Sequence, residues 1–405
     1  MQRVSWVSAA GGALAVAGFI ALTGPEPTLL AQARAGAPNY KVEPLWPRPL
    51  PNHWVLGSVT GVAVDAQDHV WVVHRGADSL EANEKGMLIE PPTSSVCCQA
   101  APFVLEFDAA GALVSNFGGP GQGYDWPASP GSLAVDAKGN VWIAAAGLVP
   151  PPPAGGAAAA ASGAGAKPVD AHVLKFSKAG QFLLQIGKPG RTEGQDSQTN
   201  LNRPAAVAVD AAANEVYVAD SGNRRVVVFD AETGKYKRSW GAYGDKPSAD
   251  PGPYDPGAPP ARQFRDVTCI EIAKDGQVYV CDRTSNRIQV FRKDGSFVKE
   301  GVVSKNTGGA VVVGQFGVVS SAGSAWDVAL SNDPQQRYLF VANGHDKRVH
   351  VLERDTLTDV GTIGAGGRQP GRFLAVSSVA VDTRGNLYTG EQHHGKRVQK
   401  FVAGQ

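Results

Sequence analysis

The feature that most constrains this chain is a sequence pattern that recurs six times along it. Its clearest copy, residues 202–241, contains three apolar runs rich in β-branched and aromatic residues, AVAVD, EVYVAD and RVVVFD, and a weaker fourth run, KYKRSW. Turn residues separate these runs, which is typical of a four-stranded antiparallel meander. One meander has two open edges and too little core to be stable alone, so we expect it to recur.

Five further copies begin near residues 59, 130, 266, 324 and 377. Radial repetition of four-stranded sheets is how a β-propeller protects its sheet edges. The sequence therefore predicts an all-β fold, a six-bladed β-propeller. The sixth copy contains only three strands, and residues 40–46, YKVEPLW, resemble the missing outer strand. We expect this N-terminal segment to complete the last blade and close the ring.

The chain divides into a leader, residues 1–35, and one propeller domain, residues 36–405. The leader has a small and apolar run followed by AQA and ARA sites, which indicates a signal peptide and export to the periplasm or the extracellular space. An uncleaved membrane anchor is the alternative, because the apolar run is long for a signal core. The rest of the chain has no apolar run of spanning length, so the mature domain is not expected to insert into a membrane.

The composition fits one large all-β domain and narrows the classes of partner. The 49 glycines, 28 prolines and 19% charged residues are what many tight turns require. A net charge of +1 gives no electrostatic reason to expect nucleic acid as a partner. Partners must therefore be inferred from individual sites.

Two insertions interrupt otherwise regular blades. Residues 76–101 separate the second and third strands of blade 1, and residues 147–171 do so in blade 2, so both emerge on the same face. The first insertion is mixed enough in composition to fold into a lid. The second is a low-complexity tract of proline, alanine and glycine that we expect to be mobile.

Two of the four cysteines lie on neighbouring strands of blade 4. Pairing Ile272 with Val278 across the KDG turn places Cys269 opposite Cys281, at a distance of about 4.5 to 5.5 Å that a disulfide can bridge. The sequence predicts this structural disulfide. Two small buried thiols are the alternative, which needs only a register shift of one residue.

The other two cysteines, Cys97 and Cys98, are adjacent in the lid. Their α-carbons lie about 3.8 Å apart across an ordinary peptide bond, closer than a disulfide prefers. A vicinal disulfide that stiffens the loop, a redox pair and two free thiols all stay open.

Polar residues recur where the second strand of each of the last four blades ends. An acid or amide stands at one position, and an arginine recurs shortly after it. Because a feature shared by four blades is more often scaffold than site, we interpret these residues as turn-fixing pairs. They are Asp220, Asp282, Asn343 and Glu391, with Arg225, Arg287, Arg348 and Arg397.

The repeats carry a family resemblance. VYVADSGNRRVVVF and VYVCDRTSNRIQVF resemble the repeats of NHL propellers, and the order of features resembles the lyase domain of peptidylglycine α-amidating enzymes. GVAVDAQDHVWVVHRG, residues 61–76, resembles the opening blade of that lyase. The resemblance implies a zinc enzyme, with histidine ligands at the start of the innermost strands of alternate blades.

The positions that the resemblance assigns to zinc are occupied here by Gly131, Thr268 and Ser377, none of which is a histidine. Zinc sites need Cys, His or carboxylate donors, so we predict that the family zinc site is absent and that the chain has no metal cofactor. The acidic residue that follows the last histidine of the family is replaced by Ser378, and the active-site tyrosine has no counterpart. A relocated metal site at His345, His393 and His394 is the alternative.

These observations favour an exported binding or scaffold protein whose ligand carries a carboxylate, or whose partner is a peptide or a protein. Arg75 occupies the position that contacts substrate in the lyase, and a guanidinium suits a carboxylate. Arg75 pairing with Glu391 to seal the ring is the alternative. An enzyme of altered chemistry, related to peptidylamidoglycolate lyase or a hydrolase, is the second functional hypothesis. The candidate ligand-binding residues are His74, Arg75, Asp220, Asp282, Asn343, Glu391, His393 and His394.

Overall fold

Each copy of the repeat forms one four-stranded antiparallel sheet. A computed structural model of the chain describes residues 37–147, 169–248, 250–308, 312–314, 317–320 and 322–404. The predicted signal peptide and most of the blade 2 tract lie outside these residues.

In blades 1 to 5 the strands follow one another outward from the channel in chain order, and in blade 6 the N-terminal strand is outermost. The strands of blade 1 are Val59–Val64, Val70–His74, Val104–Phe107 and Leu113–Phe117. Those of blade 2 are Pro130–Val135, Val141–Ala145, His172–Phe176 and Phe182–Gly187. Those of blade 3 are Pro204–Asp210, Glu215–Asp220, Arg225–Asp230 and Tyr236–Trp240. The strands of blade 4 are Val267–Ile272, Val278–Asp282, Arg287–Phe291 and Phe297–Val302. Those of blade 5 are Asp327–Leu330, Tyr338–Asn343, Arg348–Glu353 and Thr358–Ile363. Those of blade 6 are Val376–Val381, Leu387–Glu391, Val398–Ala403 and the N-terminal strand Tyr40–Glu43.

The ring closes as the sequence predicted. The N-terminal strand pairs antiparallel with the last strand of the chain, and Tyr40 lies opposite Ala403. The first strands of neighbouring blades contact each other all the way round, including blade 6 with blade 1. At that junction Ser377 Oγ donates to the Val59 carbonyl and Val62 N donates to Ser378 Oγ. The fold is therefore a six-bladed β-propeller.

The core lies between the blades. The buried apolar residues of the described chain form six clusters, and each cluster combines residues of two adjacent blades. Because successive side chains of a strand point to opposite faces, every inner strand contributes to the junctions on both of its sides. Trp46, which follows the N-terminal strand, packs against Phe107 of blade 1 and Tyr388 of blade 6.

Several short helices and strands lie outside the four-stranded sheets. The lid contains a 3₁₀ turn, Gly76–Ser79, and a one-turn helix, Ala82–Lys85. Its last residues, Gln99–Ala100, pair in parallel with Trp54–Val55. Outside the lid there is a hairpin formed by Val312–Gly314 and Gly317–Ser320. Further 3₁₀ turns are Ser221–Asn223, Ala242–Gly244 and Arg283–Ser285.

Both cysteine pairs are joined. Cys269 lies directly opposite Cys281 in the strand register, with an S–S distance of 2.03 Å and a Cα–Cα distance of 4.9 Å. The register predicted from the KDG turn is confirmed, since Ile272 also lies opposite Val278. Cys97 and Cys98 form a vicinal disulfide in the lid.

Within the described residues, no helix has both the length and the apolar character needed to cross a bilayer.

Candidate functional site at the channel mouth

One mouth of the channel collects most of the residues that the sequence singled out. The first strand of each blade begins at this mouth and the second strand ends there, because the two strands are antiparallel neighbours. The turns between second and third strands, and hence the lid, lie at the same end.

The recurring acids at this mouth are used by the scaffold. Asp220 is fully buried; it accepts a hydrogen bond from the Asn202 amide at 2.7 Å and another from Arg225 Nε at 2.8 Å. It thereby fixes the linker that enters blade 3. The corresponding donors are Arg265 N, Asp266 N and Arg287 Nε to Asp282, and Leu374 N, Ala375 N and Arg397 Nε to Glu391.

Blade 5 departs from this scheme because its residue carries no charge. Asn343 exchanges hydrogen bonds with Asp346 and contacts His350 Nε2 at 3.1 Å. Arg348 is exposed and donates to the Asp346 carbonyl. These contacts lie within the turn, so Asn343 also serves the scaffold.

Blade 2 has Ala145 at the end of its second strand, so a carboxylate of the insertion binds the entering linker instead. Asp170, at the far end of the insertion, accepts hydrogen bonds from the amides of Ala128 and Ser129 at 2.9 and 2.8 Å, and from Gly147 at 3.0 Å. The entering linker is therefore fixed as in the other blades.

Blade 1 fixes its entering linker with His74 and Ser79. His74 Nδ1 accepts from the Gly57 and Gly76 amides, both at 3.0 Å, and Ser79 Oγ accepts from the Ser58 amide at 2.9 Å. The other ring nitrogen, Nε2, lies 2.9 Å from the Pro102 carbonyl. Burial lowers the pKa of His74 to about 4. Backbone groups therefore occupy both nitrogens of this neutral ring.

The Arg75 side chain, in contrast, makes no such contact with an entering linker in the described structure. Its residue is half-buried, yet its Nε is fully buried and has no hydrogen-bond partner in the described part of the chain. Burial, and then the positive charge of Arg283, lower the pKa of Arg75 to about 10. Glu391 does not neutralise it, since Arg397 and two backbone amides engage that carboxylate.

Three further side chains converge on Arg75 from blades 4, 5 and 6. The Arg283 guanidinium lies 5.0 Å from the ring centre of Trp326, and its Nε is buried without a partner in the described structure. The His393 ring meets the same indole edge-on, with ring centres 6.5 Å apart. Burial, followed by the charge of Arg75, lowers the pKa of His393 to about 4, so this ring is neutral. The mouth is consequently cationic and partly aromatic.

The remaining histidines do not gather around a metal position in the described structure. His394 Nδ1 contacts Glu81 of the lid at 2.7 Å, whereas the His345 ring lies near Gly308. The one group of metal-capable side chains found within the described residues is elsewhere, on blade 1, and comprises Asp65, His69 and Glu106. Lys178 Nζ lies 3.0 Å from Glu106 and 3.4 Å from Asp65, so an ammonium already contacts both carboxylates of this group.

The positions that hold zinc in the resembling lyase do not fit zinc here. A Cβ at Gly131 would lie 2.7 Å from the Ala205 carbonyl oxygen, so this position has no room for a side chain. The hydroxyls of Thr268 and Ser377 donate to carbonyls of the neighbouring blades, at 3.1 and 2.8 Å. These residues fasten the blades together. The absence of a zinc cofactor stays a prediction.

Beyond this ring the channel contains a cavity of about 240 Å³, lined by the first strands of all six blades. Its lining is mainly valine, alanine, leucine and isoleucine, but it includes Glu271 and Asp327. Burial, with a smaller contribution from Asp327, raises the pKa of Glu271 to about 8. Burial also raises the pKa of Asp327 to about 6, although Ser378 Oγ and the Val379 amide donate to it.

Sequence reasoning missed Arg283, Trp326, Glu271 and Asp327 as candidates. A signal existed for each, because each departs from the repeat. Glu271 stands where blade 3 has Ala208, since each of the two residues lies opposite a tyrosine of the second strand. Charged residues on innermost strands that are otherwise apolar indicate a polar channel.

Comparisons with known proteins agree with this architecture. The NHL repeat family matches residues 201–229 and 264–291, within blades 3 and 4. The chain contains NHL repeats within its six-bladed propeller. It is also homologous to the lyase-like region of peptidylglycine α-amidating monooxygenases.

The relatives are distant and much longer than this chain. Peptidylglycine α-amidating monooxygenase of Rattus norvegicus is 26% identical over 247 residues, and that of Mus musculus is 26% identical over 250. The match to enzyme B of Xenopus laevis is 24% identical over 250 residues. Each match covers 60% of this chain, but only 22%, 22% and 24% of the relatives.

A solved structure described as a streptogramin B lyase aligns over 90% of this chain and 98% of its own, at 11% identity and a TM-score of 0.49.

Proposed function

We propose that this propeller binds a small carboxylate-bearing ligand, a metabolite or a peptide terminus, at the channel mouth. The observation that carries the proposal is Arg75, whose buried Nε has no partner in the described structure and whose pKa is lowered by burial and by the positive charge of Arg283. Placing a charged guanidinium in a half-buried position without a counter-ion costs free energy. A ligand carboxylate would supply both the missing charge and the missing hydrogen-bond acceptor.

The charges at the mouth favour a ligand with one negative charge. Arg283 is already paired with Asp266, at 2.6 Å between Nη2 and Oδ2, and His393 is neutral. Arg75 is therefore the cation that is left uncompensated. Arg283 Nε still provides a hydrogen-bond donor to a bound oxygen.

The test is calorimetry with the mature chain and ligand pairs that differ only at the carboxylate, such as N-acetyl amino acids, short peptides and their C-terminal amides. We expect binding of the acids and not of the amides. Arg75→Gln should weaken binding by about 10- to 100-fold, the range expected when one charge-assisted contact is lost. Arg75→Lys should weaken it less, because the charge stays and the fork is lost.

The matched control is Arg348→Gln on the exposed arginine of blade 5, which should leave binding unchanged. Melting temperatures separate the proposal from a structural role. The Arg75→Gln protein should melt at the same temperature as the parent or higher, since an uncompensated cation is removed. A lower melting temperature with unchanged binding would show that Arg75 stabilises the fold and that the mouth is not a carboxylate site.

A second candidate function is enzymatic. Two observations favour it: the homology to enzymes named α-amidating monooxygenases, and the two channel carboxylates of raised pKa. A carboxyl group that titrates near neutral pH is suited to proton transfer. A lyase-like or hydrolase-like reaction without the zinc of the family is the corresponding proposal. Turnover of α-hydroxyglycine peptides or peptide esters that is lost in Glu271→Gln would support it.

We also propose that the protein is exported. The two disulfides support an oxidising compartment, as does the signal-like start of the sequence. A protein partner at the same propeller face is compatible with a carboxylate site, since a chain terminus carries that group. N-terminal sequencing of the protein from its own host tests export, because cleavage after Ala33 or Ala35 is expected.

A further inference from the structure

The lid of blade 1, residues 76–101, is fastened to a different blade. Its one-turn helix begins with a capping box, in which Glu81 and Glu84 each accept a backbone amide of the other. The same two carboxylates contact the turn of blade 6. Glu81 Oε1 lies 2.7 Å from His394 Nδ1, and Glu84 Oε2 accepts from Lys396 Nζ. We call these four residues the clasp.

A short relay of hydrogen bonds runs beside the clasp. The lid residue Ser79 accepts from the Ser58 amide at 2.9 Å, and Ser58 Oγ accepts from the His393 amide at 3.1 Å. His393 is also the residue whose ring packs against Trp326 at the mouth. One turn of blade 6 therefore contacts the lid with His394 and Lys396, and the mouth with His393.

The turn of blade 6 is one residue longer than the equivalent turn of blade 3, and it contacts the lid. Arg397 follows Glu391 by six positions, whereas Arg225 follows Asp220 by five positions in blade 3. Lys396 shares its positive φ with the equivalent residues of blades 3 to 5, but its side chain is only 6% exposed. Within the described residues, its carboxylate partners are Glu84 and Glu81, both on the lid. An ammonium buried in this way needs those partners.

The carboxylate side of the clasp remains open to solvent. The side chains of Glu81 and Glu84 are 44% and 34% exposed, so water and salt reach these carboxylates and weaken their ion pairs with Lys396. The lid also begins at Gly76, where φ is 59° and a Cβ would lie 2.7 Å from Phe103. Glycine allows this left-handed start, which follows directly after Arg75.

We propose that residues 76–101 are a lid hinged next to Arg75 and held shut by the clasp, so that release of the clasp opens the mouth. The proposal concerns access to Arg75 and holds for any ligand that the mouth accepts.

The test needs no ligand. An arginine-selective dicarbonyl, p-hydroxyphenylglyoxal, is added to the full mature chain, and the modification rate of Arg75 is followed by peptide mass spectrometry. The exposed Arg348 serves as internal reference. Lys396→Met keeps the length of the side chain and removes its charge, and Glu84→Gln keeps the capping box, which accepts Gln as well as Glu.

Each variant should raise the Arg75 rate about tenfold relative to Arg348, as expected for a local opening that becomes easier. The double variant should add little, because both changes remove the same contact. High salt should accelerate the parent and not the variants. Lys347→Met, in the corresponding turn of blade 5, is the matched control and should leave the rate unchanged.

Hydrogen exchange distinguishes lid opening from damage to blade 6. Amides of residues 77–98 should exchange faster in Lys396→Met, while the strands Leu387–Glu391 and Val398–Ala403 keep their protection. An unchanged Arg75 rate, or equal loss of protection in the lid and in both strands, would overturn the proposal. Failure of every carboxylate to bind would reject the proposed function and leave this result standing.

Discussion

At the scale of single residues, the polar groups of the mouth separate into those that the fold uses and those that it does not. Asp220, Asp282 and Glu391 each accept hydrogen bonds from the backbone of an entering linker, so their carboxylates are already engaged by the scaffold. In blade 1 the strand register places His74 at this position, and His74 and Ser79 bind the entering linker. Arg75 follows His74, and the scaffold leaves its buried Nε without a partner in the described structure, so this side chain is available to a ligand.

Glu271 gives a prediction at the same scale. Its pKa is raised from 4.5 to about 8, so between those values the folded protein holds a proton that the unfolded chain releases. The free energy of unfolding should therefore fall as pH rises through this window, by up to a few kcal/mol. Glu271→Gln has no such proton to lose, and its stability should exceed that of the parent at pH 8 by more than at pH 5.

Urea unfolding of both proteins at pH 5, 6, 7 and 8 measures the effect. Glu193→Gln, on an exposed side chain, is the matched control and should follow the parent. Asp327 contributes to the same trend at lower pH, because its pKa is raised from 3.8 to about 6. Parallel pH profiles for parent and Glu271→Gln would show that Glu271 is ionised in the folded protein across this range.

At the scale of elements, strand register decided what the sequence could predict. The KDG turn sets the pairing of the first two strands of blade 4, and a period of two residues then fixes which side chains lie opposite each other. The partner of Cys269 followed from that register. The meeting of Arg283, Trp326 and His393 did not, because these residues come from three blades and their side chains reach across the junctions.

The two disulfides should contribute very differently to stability. Joining Cys269 to Cys281 closes a loop across 12 positions, for which the chain-entropy estimate is about 3 kcal/mol. The vicinal pair closes almost no loop. Cys269→Ala with Cys281→Ala should lower the free energy of unfolding by roughly that amount, whereas Cys97→Ser with Cys98→Ser should change it by less than about 1 kcal/mol.

Peptide mapping without reductant should recover Cys269 linked to Cys281, and denaturant unfolding of the two double variants provides the comparison. A peptide linking Cys269 to Cys97 would contradict the register of blade 4. A large loss of stability in the vicinal variant would mean that the lid supports the whole propeller, which the weak clasp does not predict.

At the scale of the whole molecule, the repeat predicted the ring, and the departures from the repeat mark the candidate functional parts. Because the sixth copy contains only three strands, the ring requires a closing strand, and Tyr40–Glu43 provides it. The clasp between the lid and blade 6 could not be predicted from the sequence, because Glu84 and Lys396 are 312 positions apart along the chain. Contacts of that separation depend on ring closure, which brings blade 6 beside blade 1.

Ring closure itself yields the last prediction. Deleting residues 37–50 removes the strand that covers the edge of Val398–Ala403, and with it Tyr40 and Trp46, both buried in junctions of blade 6. An uncovered strand edge pairs with other chains, so the truncated protein should form oligomers that grow with concentration, as light scattering would show. A synthetic peptide of residues 37–50, added during refolding, should restore a monomer, because it supplies the missing strand from outside. The same peptide with a scrambled sequence is the control, since it keeps the composition and loses the alternation that directs Tyr40 and Val42 into the core. A truncated protein that stays monomeric and melts at the temperature of the mature chain would show that the propeller does not depend on its N-terminal strand.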